Sequence, residues 1–216
     1  MFEKLFENDQ CLIINKPHGV SVHNAEDKNV IDFFKEKGLN YTPVHRIDKE
    51  TSGILILAKD TKYIDKLSIA LKSSKKTYLT ICRAQLKEES GIWNFPITNK
   101  AEGSKKVDGI KKDRVNAISS WVLLAKNPYF SLLEVTIETG RTHQIRKHCA
   151  LARHAIIGDN RYGDKAFNKK ISKLYAVSRM ALHAHKLSII IDGNPLNILC
   201  EAPTEFNKLV EYNYGH

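Results

Sequence analysis

Apolar residues along this chain fall into short runs and alternations, with few long helical stripes. Cys11–Asn15 is an apolar run that leads into the turn Lys16-Pro17-His18-Gly19. Gly53–Ala58, reading GILILA, is a second apolar strand. Thr77–Arg83 alternates as a strand does. Trp121–Ala125 and Phe130–Ile137 read as two further strands across an Asn127-Pro128 turn. Leu187–Ile191 and Leu196–Cys200, with Asp192-Gly193-Asn194-Pro195 between them, predict a terminal hairpin. Helical spacing is clear in two places. Asp60 is placed to cap a helix carrying Ile64, Leu67 and Leu71, and Thr142 to cap another running to about Ala152. The stretch 92–118 is polar and turn-rich and reads as a long connection or an exposed hairpin.

Strands joined by turns outnumber helical crossovers. The expected class is therefore α+β, a mixed, largely antiparallel sheet with flanking helices, and not a doubly wound parallel sheet. With 216 residues the chain can build one substantial core, or at most two small lobes sharing one. A 42% apolar content argues against wholesale disorder. No apolar run approaches a membrane span, and MFEKLFENDQ has no basic-then-apolar leader. Cys11, Cys82, Cys149 and Cys200 lie far apart and form no C-x-x-C pair, which fits a reduced cytoplasmic interior.

Charge adds the first functional hint. A formal net charge of +10 on so short a chain is the footprint of a nucleic-acid binder. It clusters in KSSKK at 72–76 and in Lys100, Lys105, Lys106, Lys111, Lys112 and Arg114, though such runs are also what a solvated face looks like.

The segment HRIDKETSGILILAKD, residues 45–60, is the most informative. It puts His45, Arg46 and Asp48 in a polar loop closed by Thr51, Ser52 and Gly53 and anchored by the apolar strand. Spacing alone leaves two readings open: a site, or a turn whose Asp and Ser merely satisfy local backbone groups.

HRIDKETSG resembles the signature loop H-R-L-D-x-x-T-S-G of the RluA-type RNA pseudouridine synthases, with Ile47 in place of Leu. Further blocks follow in the family's order. Lys16-Pro17-x-Gly19 resembles K-P-x-G, and Lys76-Thr77-Tyr78 resembles K-x-Y. Gly140–Arg146 reads GRTHQIR, Gly158-Asp159 with Tyr162-Gly163 resembles G-D-x-x-Y-G, and Leu182-His183-Ala184 resembles L-H-A. Two positions depart: Lys147 stands where many relatives are apolar, and Ala155 where Pro is frequent.

The resemblance implies a single catalytic domain over 1–216 with a basic cleft and without the family's N-terminal S4-type domain. It implies an isomerase that detaches uracil N1 from ribose C1′ in RNA, turns the base and rejoins it through C5. Asp48 would be the catalytic carboxylate, acting on a flipped-out uridine. Arg146 would pair with Asp48 and keep it ionised, and Tyr78 would stack on uracil or move a proton. Arg46, His45, Lys76, Arg141 and His143 fall on the RNA side. No cofactor and no metal are expected. The partner would be structured RNA (23S rRNA, tRNA or both), with no membrane, and the chain a monomer. Two rival functions compete with this one: a non-catalytic basic RNA-binding module, and an RNA hydrolase or glycosylase using Asp48 with His45.

Overall fold

A computed structural model describes residues 2–23, 29–100 and 113–212. Lys105, Lys106, Lys111 and Lys112 of the basic clusters lie outside the described residues. The strands are β1 (Glu3–Glu7), β2 (Cys11–Lys16), β3 (Thr42–Pro43), β4 (Ser52–Ala58), β5 (Lys75–Arg83), β6 (Ser90–Trp93), β7 (Ile97–Thr98), β8 (Arg114–Val115), β9 (Ser119–Lys126), β10 (Phe130–Ile137), β11 (Leu182–Ile191) and β12 (Asn194–Leu199). The helices are α1 (Val30–Lys35), α2 (Ile64–Lys72), α3 (Gln144–Leu151) and α4 (Lys165–Tyr175). Strand pairs with a described register run antiparallel, as the α+β reading expects.

The chain divides into two compact units, one built from 1–76 with 184–201 and the other from 77–183 with 202–216. In the first, the strand order is β1-β2-β4-β11, with β3 beside β4 and β12 beside β11. All seven residues of β4 are buried, which accounts for its unbroken apolar run. Leu55 and Leu57 of β4 join Leu12, Ile14, Val30 and Phe34 in an apolar cluster. Asp60 does cap, but through a 3₁₀ turn at Thr61–Tyr63, where its side chain accepts from Lys62 N. In α2 behind that turn, Leu67 and Leu71 are buried. The terminal hairpin is tighter than its sequence suggests: Asp192 and Gly193 alone make the turn, at φ 53° and 75°. Asn194 already pairs with Ile191. β11 also starts at Leu182, five residues earlier than the apolar run at 187 suggests.

In the second unit the order is β5-β10-β9-β6. Leu79, Ile81, Phe130, Leu132, Val135, Ile145 and Met180 belong to its core. Asn127 makes the β9–β10 turn by accepting from Tyr129 N and Phe130 N through its side-chain oxygen. The stretch 92–118, expected to be a long connection or an exposed hairpin, contains the short antiparallel β7–β8 pair, and the end of β6, which pairs with β9, runs into it. Trp93 of β6 stacks on Trp121 of β9 with ring centres 5.5 Å apart, so a polar-looking segment is held by one buried aromatic. Among the described residues no helix is long and apolar enough to cross a membrane.

Candidate active site

In the first unit the loop of Asp48 is built from backbone outward. The chain comes in along β3, paired with β4, and Val44 N donates to Ile56 O at 3.0 Å. Ile47 is buried and pins the loop from inside, while Arg46 is exposed and Asp48 half-buried. Thr51 N donates to Asp48 O at 3.0 Å and closes the turn into β4. The Lys16–Gly19 turn clamps the next residue: Gly19 N donates to Lys49 O at 2.7 Å and Lys16 Nζ at 3.3 Å. Lys16 is fully buried, and its ammonium also donates to Pro17 O and Val20 O. Gly53 lies at φ +108°, and a Cβ there would stand 2.2 Å from Ala184 O, so the loop's last motif residue admits no side chain.

His45 and Lys76 are tied to the scaffold. His45 Nε2 accepts from Ile56 N at 3.0 Å, which places the ring proton on Nδ1 in the neutral form. Burial, with Lys76 adding repulsion, pushes the imidazole down to about 4. Lys76 Nζ donates to Leu71 O at the end of α2, and burial lowers its pKa as well.

In the second unit, Tyr78 on β5 is half-buried against the core. Thr142 does not cap α3. Its N and Oγ1 donate to Asn99 Oδ1, and the N-cap residue is His143, in the left-handed region at φ 54°. Gln144 folds back to tie down the segment before the helix: Oε1 accepts from Arg141 N and Thr139 Oγ1, and Nε2 donates to Ile118 O. Arg141 is exposed, with Nε 3.4 Å from Asn116 O.

Every residue from Gln144 to Cys149 is buried, so α3 runs through the core. Arg146 meets Asp159 in a two-pronged pair, Nε to Oδ2 at 2.8 Å and Nη2 to Oδ1 at 2.9 Å. Asp159 Oδ1 also accepts from Arg161 N and Tyr162 N. Burial alone would raise the Asp159 pKa, but the Arg146 bonds and charge hold it below the ordinary carboxylate value. Tyr162 places its ring 5.3 Å from the Arg146 guanidinium, and its hydroxyl shares a 2.8 Å hydrogen bond with His143 Nδ1. The two glycines of this block are sterically required: a Cβ on Gly158 would stand 2.2 Å from Arg179 O, and one on Gly163 2.6 Å from Asp159 O.

The role of Asp159 as partner of Arg146 was missed in the sequence, although its block was visible. The signal that could have found it is the need of any fully buried Arg for a carboxylate. Lys147 is likewise fully buried, donating to Thr98 O, Thr98 Oγ1 and Lys100 O. Among the described residues no group of three or more His, Cys, Asp or Glu could hold a metal.

Residues 10–151 match the family model described as RNA pseudouridylate synthase. The chain belongs to the RNA pseudouridylate synthase family. Members of this family are isomerases that act on uridine in RNA. The family includes the ribosomal large subunit pseudouridine synthase C of Buchnera aphidicola subsp. Acyrthosiphon pisum, to which this chain is 34% identical over 94% of its length and 67% of the relative's. It also includes the tRNA pseudouridine synthase C of Vibrio cholerae, 30% identical over 87% of this chain and 84% of the relative. The solved structure of human RNA pseudouridylate synthase domain containing 1 shares the fold, with a TM-score of 0.79 at 21% identity over 94% of this chain and 84% of that one.

Proposed function

We propose that this chain converts specific uridines to pseudouridine in ribosomal or transfer RNA, with Asp48 as the catalytic carboxylate. The observation that carries this reading is the Asp48 loop. It lies inside the family-matched span, its backbone is clamped by buried groups on both sides, and its carboxylate-bearing residue keeps access to solvent. Such a loop can present a carboxylate to ribose C1′ or to uracil C6, or assist glycal formation. Tyr78 would stack against the base, and Arg146, held in orientation by Asp159, would be the third catalytic residue. Arg46 and Arg141, both exposed, are the first choices for RNA contact, with His45, Lys76 and His143 behind them in the framework that sets their positions. The choice of ribosomal or transfer RNA rests on what the relatives are named for.

The test is tritium release from RNA labelled at uracil C5, run on transcribed tRNAs and rRNA fragments, with product mass and chain length checked. Tritium release with unchanged mass is expected. Cleaved or base-free product would support the hydrolase or glycosylase rival, and RNA binding without any product would support the binding module.

A further inference from the structure

Helix α4 carries a feature that uridine chemistry does not use. Lys165, Asn168, Lys169, Ser172 and Lys173 stand at i, i+3, i+4, i+7 and i+8, which is one face of a helix. That face lines a groove of about 560 Å³, closed on the other side by Gly158 and Asn160 and by Val177 and Ser178. The groove is lined by three ammonium groups and no carboxylate. Among the described residues none of the three lysines is ion-paired, and all three are exposed. The nearest acid in sequence, Asp164, is engaged elsewhere: it caps the helix by accepting from Ala166 N and Phe167 N and sits 3.5 Å from Arg83.

The floor of the groove is rigid. Asn168 is buried, accepts from Gly158 N, and donates to Asp159 O and Asn160 Oδ1. Asp159 is the carboxylate that holds Arg146. The groove and the arginine therefore share one hydrogen-bonded frame within the second unit.

We propose that this groove is a docking track for the sugar-phosphate backbone of the RNA substrate, with Lys165, Lys169 and Lys173 each facing a phosphate. Successive lysines are spaced about 6 Å apart along the helix axis, the pace of neighbouring phosphates on a nucleic-acid strand. Asn160 and Ser172 offer hydrogen bonds suited to phosphate oxygens or the 2′-hydroxyl. Unpaired cations on a preformed polar groove need no partner displaced before binding, so counterion release supplies the drive. The track deepens the proposed function and rests on RNA being the substrate.

The experiment measures binding of a transcribed tRNA by anisotropy over a salt series, together with tritium release, for the whole chain and two triple variants. In one, Lys165, Lys169 and Lys173 all become Gln; in the other all become Arg. The Gln variant is expected to flatten the slope of log affinity against log salt by about 2–3, and to raise KM. The Arg variant is expected to keep the wild-type slope, since charge and not packing is at stake. Thermal melting of each variant close to wild type guards against unfolding, and Lys169→Glu alone, expected to weaken binding further than Lys169→Gln, provides a second reading. An active wild type whose Gln variant keeps the same slope and KM overturns the track and leaves the isomerase reading standing. A wild type that binds RNA but releases no tritium overturns the isomerase reading, while a flattened slope in the Gln variant would still support the track.

Discussion

Asp48 and Asp159 are the same residue type in two different settings. Asp159 is 1% exposed, and its carboxylate is filled by two Arg146 nitrogens and two backbone N–H groups. Asp48 is half-buried, and its main chain is held at two points: its own carbonyl is bound by Thr51 N, and the next carbonyl is held by Gly19 and Lys16. A carboxylate saturated with donors is a poor nucleophile because its lone pairs are spent and its basicity is low. A half-buried one on a loop whose backbone is clamped is the one a substrate can reach. The contrast gives Asp159 a structural role and supports the proposal that Asp48 carries the chemistry.

The largest effect should separate the two by activity. Asp48→Asn, nearly isosteric, is expected to lower tritium release by roughly a thousandfold or more while RNA binding and melting stay near wild type. Near-normal turnover would remove Asp48 from the chemistry.

Asp159→Ala should act through stability, since it strands a buried arginine. The expected loss is about 3–5 kcal/mol, read by chemical denaturation. A variant that is stable but inactive would break the distinction. The pH sign follows from linkage. Because the folded Asp159 pKa lies below the ordinary 3.8, its contribution is full above that value and fades as pH falls through the lower folded value.

Gly53→Ala sharpens the claim that backbone geometry presents Asp48. Its positive φ and the 2.2 Å approach to Ala184 O predict a loss of about 2–4 kcal/mol together with reduced activity. Wild-type stability would mean that the strand can relax without disturbing the loop.

The smallest effect belongs to His45. Its folded pKa of about 4 lies below the ordinary 6.5, so the unfolded chain binds the extra proton and stability should rise with pH between those values. Replacing His45 by Gln should flatten that part of the melting-versus-pH curve. An unchanged curve would mean that another group carries the dependence.

Much of the fold and site was legible in the order of residues wherever the cause is local. The buried run of β4, the Asp60 cap and the Asp192-Gly193 turn follow from period and turn chemistry over a few neighbours. The spaced motif blocks pointed to the family for the same reason: a signature loop is contiguous, so it survives as text. What stayed hidden depends on groups distant in sequence. Strand β6 is not visible in the local pattern because Trp121, which anchors its Trp93, lies 28 positions away. That Thr142 does not cap α3 is equally hidden, because nothing local reveals that Asn99 draws its hydroxyl. The pairing of Arg146 with Asp159, 13 residues along the chain, is of the same kind. Sequence alone determined which residues are chemically equipped and which short elements carry them. Tertiary structure decided which carboxylate is spent on structure, because that depends on desolvation and on donors that converge only once the chain has folded.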